Sequence, residues 1–149
     1  MGYIQKEWLV YFYEHEHHIE DDWLFFLEKG FKHCGAMGYD PTHKIWTNLE
    51  YTHDGIRCSH LTPEEASNLI NYFYDYKMLR CPVKNNWQLL RIKDVTCVSW
   101  VQRLIGFYQW WIFTPYQLYC ALKKAGYKSF YEEIKDPNAK KEQIDTGNH

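Results

Sequence analysis

The stretch Asp94-Val95-Thr96-Cys97-Val98-Ser99-Trp100-Val101-Gln102-Arg103-Leu104-Ile105-Gly106 constrains the fold of this chain more than any other. Val98, Val101, Gln102 and Ile105 fall on or near one helical stripe, and Trp100 and Leu104 form a second. Thr96 stands where a side-chain oxygen caps a helix, and Gly106 where a helix ends in the left-handed conformation. The spacing therefore predicts a short, largely buried helix with Cys97 in its first turn. Unpaired backbone N–H groups and the positive end of the helix dipole favour a thiolate there. The plainer reading is a cysteine used as a small core residue.

The segments before this helix read as strands. Glu7-Trp8-Leu9-Val10-Tyr11-Phe12-Tyr13 is dense in aromatics and is expected to be a strand buried on at least one face. Phe31 to Tyr39 reads as a second strand, with Cys34, Ala36 and Gly38 on one face and His33, Gly35, Met37 and Tyr39 on the other. Glycine is poor in a strand unless something approaches closely, and a helix packed over it would be such a reason. Asp40 to Lys44 is a turn, and Ile45 to Tyr51 returns as the partner strand with Trp46, Asn48 and Glu50 together. After a second turn at Thr52 to Gly55, Ile56 to Ser59 adds a short strand. Together these form an antiparallel meander.

Leu61-Thr62-Pro63-Glu64-Glu65 is a helix start: Thr62 caps, Pro63 takes the first helical position and Glu65 completes a capping box. The apolar spacing predicts a helix to about Met78 with Ala66, Leu69, Ile70 and Phe73 inward, broken at Arg80 to Val83. Trp23 to Glu28 is a short apolar run. Trp87 to Ile92 reads as a strand feeding the Cys97 helix. Thr114-Pro115 opens another helix, Tyr116 to Ala125, stopped by Gly126. The expected fold class is α+β, an antiparallel sheet packed against helices. One domain is expected over residues 1–135, followed by a polar tail over 136–149.

Composition narrows the functions. The 149 residues are 46% apolar, and Trp 7, Tyr 13 and Phe 8 bring aromatics to 19%. Such a chain packs around large flat side chains or offers them to a partner. The net charge of −2 comes with no basic block, so no nucleic-acid partner is expected. Five cysteines at scattered positions, without a Cys-x-x-Cys, argue against a disulfide framework or zinc ribbon and for a reducing cytoplasm. Met1 to Tyr13 has no signal-peptide pattern, and Phe107 to Phe113 is too short for a membrane span. Glu14-His15-Glu16-His17-His18 alternates like a ligand set, but on a strand or loop these groups diverge. A solvated acidic loop is expected rather than a metal site, and no cofactor is implied.

A cysteine at a helix N-terminus needs a base, and a strand-borne histidine is the usual one. His33 opens a strand, and Asn48 or Glu50 on the paired strand can orient it. Glu50 would hold the imidazole and stabilise its protonated form; Asn48 would only orient it. Glu50 is preferred, and the hairpin register decides which of the two shares the His33 face. Cys34 is read as a small strand residue, and Cys58, Cys81 and Cys120 as packing residues. His43, His53 and His60 are read as exposed, and Trp110-Trp111 as cover over the last two helices.

The chain order is thus His, polar, Cys. Three stretches carry it: Lys32-His33-Cys34-Gly35-Ala36-Met37, then Ile45-Trp46-Thr47-Asn48-Leu49-Glu50, then Thr96-Cys97-Val98-Ser99-Trp100-Val101 with Gly106 and Phe113-Thr114-Pro115-Tyr116-Gln117-Leu118-Tyr119. This resembles the circularly permuted branch of the papain-like NlpC/P60 superfamily, which includes lecithin–retinol acyltransferase-like proteins, and is similar to small phage-encoded proteins of this type. The resemblance implies a permuted papain-like fold with Cys97 as nucleophile, His33 as base and Glu50 or Asn48 as third member. It implies a thiol hydrolase acting through a covalent acyl-enzyme on an amide or peptide bond, with a peptidoglycan-like peptide as substrate. The oxyanion hole would come from the Cys97 backbone N–H and a neighbour. The other reading is a non-catalytic virion or assembly protein on the same fold, with a virion or host protein as partner. The expected location is the cytoplasm (the host's, for a phage protein) or the virion.

Overall fold

The computed structural model describes residues 5–14, 27–52, 54–73, 77–84 and 96–135. The His15, His17 and His18 group, His53, most of the Trp23 run, the Trp87 to Ile92 strand and the polar tail lie outside the described residues. The protein is α+β. Its elements are β1 (Glu7–Tyr13), β2 (His33–Asp40), β3 (Ile45–Thr52), β4 (Gly55–Leu61), α1 (Pro63–Tyr72), β5 (Met78–Pro82), α2 (Cys97–Leu104), α3 (Pro115–Lys124) and α4 (Phe130–Lys135). The strands make one antiparallel sheet in the order β4-β3-β2-β1-β5.

β1 is covered on both faces: every residue from Trp8 to Phe12 is buried. Its near-continuous apolar run is the pattern a doubly covered strand requires. On one face Trp8, Val10 and Phe12 join Cys34, Ala36, Leu79 and Cys81 under Val98, Val101 and Ile105 of α2 and Leu118 and Leu122 of α3. On the other, Leu9, Tyr11, Met37 and Met78 meet Ala66 and Phe73, with Leu69 and Ile70 packed against them. Each fully buried aliphatic of this kind contributes about 1.5–3 kcal/mol. The two helical layers are therefore held largely by the β1–β2 pair between them.

The expected strand faces hold, and so does the capping box of α1, in which Thr62 and Glu65 bond each other's backbone N–H. The end of α1 does not. The helix stops at Tyr72, and Met78 to Pro82, expected as helix end and breaker, is instead a strand paired with β1 from Glu7↔Pro82 to Tyr11↔Met78. Pairing with a distant strand overrides local helical spacing. Pro82 is tolerated because it closes the strand. The outer edge of β5 is partly covered by an isolated bridge, Leu79↔Ser129, and by the bond from Arg80 N–H to the Lys128 carbonyl at 3.2 Å. Covering an exposed edge in this way blocks pairing with other chains.

Candidate active site

α2 begins where the cap predicts. The Thr96 hydroxyl accepts from Ser99 N–H at 3.2 Å, and the Ser99 hydroxyl oxygen accepts from Thr96 N–H at 2.9 Å. This reciprocal box fixes Cys97 as the first helical residue. Val98, Val101, Gln102 and Ile105 are buried as their spacing requires. They press α2 onto the sheet and bring Cys97, partly exposed, against the cluster that contains Cys34.

Three groups meet at the Cys97 sulfur. The Cys34 thiol donates a hydrogen bond to it, the His33 ring donates another, and the Cys34 backbone N–H a third. The Cys34 bond is the largest influence. Together with the imidazolium charge it outweighs burial and brings the Cys97 thiol from its ordinary value down to about 5. Cys34 moves the opposite way. Its complete burial, and then its bond to Cys97 and that sulfur's charge, push it well above the ordinary range. The two thiols thus divide one role: Cys34 keeps its proton and Cys97 gives its up.

His33 is the first residue of β2. A side chain at a strand end is not confined to one face, so the ring reaches both the Cys97 sulfur and Tyr13. Tyr13 is the cross-strand partner of His33, and its ring stands edge-on at 5.2 Å and 81°. The approach to His33 is clamped: Glu14 pairs with Lys32 at 2.9 Å and accepts from Gly30 N–H at 2.8 Å, and Lys32 N–H bonds the Tyr13 carbonyl at 3.1 Å.

The register places both Glu50 and Asn48 on the His33 side of the sheet. Glu50 pairs with Gly35 and Asn48 with Met37, so Glu50 is one step nearer. Both reach tyrosines. The Glu50 carboxylate accepts from Tyr11 at 2.9 Å and from Tyr13 at 3.2 Å, while the Tyr11 hydroxyl lies 2.7 Å from the Asn48 amide. A hydroxyl has one proton. Given to Glu50, it leaves the Tyr11 oxygen to accept from the Asn48 NH₂. Burial, then the Glu50 charge, pushes both phenols up, so they stay donors. The chain Asn48–Tyr11–Glu50–Tyr13 ends against the His33 ring.

Gly35 makes room for this chain. An added Cβ would sit 2.5 Å from the Tyr11 hydroxyl oxygen and 2.6 Å from Cζ. The close approach expected from a helix is made instead by a side chain. Tyr11 cannot yield freely, because Phe73 stacks on it at 4.4 Å. Gly35→Ala is therefore expected to destabilise by about 1–3 kcal/mol, through overpacking. A thermal melt checks this; an unchanged melting temperature refutes the close fit.

Other expected roles change. Cys81 is a packing residue, but Cys58 and Cys120 are exposed. Trp110 and Trp111 do not cover the helices: they are 75% and 45% exposed, and Ile112 is buried in their place. The loop is tied to α2 through Gln102, whose side chain bonds the Ile112 carbonyl at 3.3 Å and Gln109 N–H at 2.7 Å. Cys34, Tyr11 and Tyr13 were not expected at the site. Alternation does put Cys34 on the helix-facing side, and Tyr11 and Tyr13 on the side of Glu50, which is the signal that could have found them. Among the described residues no cluster of three or more His, Cys, Asp or Glu is arranged to hold a metal, and no helix is long and apolar enough to cross a membrane. Comparison with protein-family profiles, with curated proteins and with solved structures gave no match.

Proposed function

We propose that the chain is a thiol hydrolase of the permuted papain-like kind, acting on an amide or peptide bond such as that of a peptidoglycan peptide. One observation carries this reading: a helix-start cysteine with a strongly depressed pKa in hydrogen-bond contact with a strand-end histidine. The Cys97 thiolate attacks the carbonyl carbon. The C–S bond forms as the C–N bond breaks, and the His33 imidazolium gives its proton to the leaving nitrogen. Water then attacks the thioester while His33 takes one of its protons. The acid leaves and the thiolate returns. Glu50 acts on His33 through Tyr13, whose hydroxyl it holds and whose ring flanks the imidazole. Asn48 acts one bond further back, through Tyr11.

The test combines a fluorescent iodoacetamide at about pH 6, where exposed ordinary thiols stay protonated, with amine release from a peptidoglycan stem peptide. Cys97→Ser is expected to lose amine release and most of the labelling while remaining folded, with a melting temperature lowered only by the loss of the thiolate's own contribution. Undiminished labelling or amine release in that variant overturns the reading.

A second reading, a non-catalytic virion or assembly protein on the same fold, is favoured by one feature. Tyr108, Trp110, Trp111 and Phe113 are all exposed on a single loop, Phe113 to 68%. Exposed aromatics anchor interfaces. Stoichiometric copurification with a larger particle, undiminished by Cys97→Ser, supports this reading; a monodisperse monomer that releases amine opposes it.

A further inference from the structure

The contact between Cys34 and Cys97 has chemistry that hydrolysis does not use. A hydrolase of this kind needs one thiol. Here a second free cysteine belongs to the buried cluster beneath α2 against which Cys97 packs, and its thiol is hydrogen-bonded to the Cys97 sulfur. Cys34 is fully buried, whereas Cys97 is partly exposed at the first position of its helix. Oxidant therefore reaches one sulfur only, and that sulfur already touches its partner.

We propose that Cys34 and Cys97 form a reversible oxidation site, in which Cys97 meets peroxide and Cys34 resolves the product as an intramolecular disulfide. The Cys97 thiolate attacks one oxygen of hydrogen peroxide, giving a sulfenic acid and releasing hydroxide. The Cys34 sulfur then attacks the sulfenic sulfur. The S–S bond forms, the S–O bond breaks, and the Cys34 proton leaves with the oxygen as water. Two electrons pass from the thiol pair to the peroxide. A dithiol reductant restores both thiols by exchange.

The geometry suits each step. A disulfide brings two sulfurs to about 2 Å, and the Cys34 and Cys97 thiols start as a hydrogen-bonded pair. Cys97 opens α2, so its side chain moves without disturbing the helix interior. The depressed pKa of Cys97 supplies the thiolate at neutral pH, and the buried, protonated Cys34 is spared direct attack. A thiol already in contact intercepts a sulfenic acid before further oxidation. Over-oxidation of the nucleophile, which is irreversible, is thereby diverted into a reversible state.

The inference uses the Cys97 thiolate and does not require that it hydrolyse anything. The test is mass spectrometry of the intact chain carrying Cys58→Ser and Cys120→Ser, which removes the two exposed thiols. After brief treatment with hydrogen peroxide, the expected product has lost two hydrogens. Peptide mapping should join the Cys34 and Cys97 peptides, and dithiothreitol should reverse the change. With Cys34→Ala added, Cys97 should instead gain two oxygens that dithiothreitol does not remove. A treated chain in which Cys97 carries oxygen while Cys34 remains a free thiol overturns the proposal, and so does a disulfide through Cys81. The mapping of the Cys34-containing chain decides the matter even where Cys34→Ala folds poorly. A protein that forms this disulfide but releases no amine from peptides retains the oxidation site and loses the hydrolase reading.

Discussion

Alkylation of Cys97 by iodoacetamide is expected to rise with pH through a midpoint near 5. At pH 6 an ordinary thiol is ionised to well under one per cent and Cys97 to about nine-tenths, roughly 300-fold more thiolate. A less basic thiolate is also a weaker nucleophile, by roughly 30- to 50-fold over this span. The net gain is therefore only about five- to tenfold in rate, so the position of the midpoint is the stronger signature. Cys34→Ala removes the largest single cause and should shift the midpoint upward; His33→Gln, which removes both a hydrogen bond and a charge, should also shift it upward. A midpoint left in place by Cys34→Ala would mean that the thiol–thiol bond does not set the ionisation. The same shift enters folding. Between about pH 5 and the ordinary thiol range, the unfolded chain binds a proton at Cys97 that the folded chain does not. The stabilisation from Cys97 is thus present at high pH and lost as pH falls through 5. Chemical denaturation of the wild type and Cys97→Ser across that window should give curves that converge on the acid side.

What the residues reveal locally, the structure repeats, and what depends on distant partners it alters. The two ends of α2 are legible because caps are written in adjacent residues: Thr96 and Ser99 at one end, Gly106 at the other. β1 is legible as an apolar run. The strand past α1 is not, since Met78 to Pro82 is a strand only through its pairing with β1. At the site, the alternation of β2 and β3 puts His33, Glu50 and Asn48 on one side. It cannot show that two tyrosines of a third strand stand between them. Cys34 is the clearest case. Its facing follows from period two, but its partner sits on another element, and no local pattern encodes a thiol–thiol bond between a strand and a helix tip.

Gly106→Ala is expected to be far more costly than Gly126→Ala, although the two glycines do the same local work. Each follows a helix in the left-handed conformation, φ 68° at Gly106 and φ 89° at Gly126. Each closes the same motif. Gly106 N–H bonds the Arg103 carbonyl at 3.1 Å and Phe107 N–H the Gln102 carbonyl at 2.9 Å; Gly126 and Tyr127 bond Lys123 and Leu122 at 3.0 and 3.1 Å. An alanine at either position incurs about 1–2 kcal/mol for the left-handed backbone. At Gly126 that is all, because nothing lies within 4 Å of the added Cβ. At Gly106 the Cβ would overlap the Lys84 carbonyl. That carbonyl cannot simply retreat: Lys84 N–H bonds the Ile105 carbonyl at 3.1 Å, and its ammonium lies over the Phe107 and Tyr127 rings at 5.7 and 5.3 Å. Backbone must move, at about 1–3 kcal/mol more. The sum is about 2–5 kcal/mol, or roughly 6–20 °C in melting temperature for a chain of this size. Paired thermal melts isolate the difference. Equal losses in the two variants would show that the segment after β5 does not brace the far end of the helix that carries Cys97.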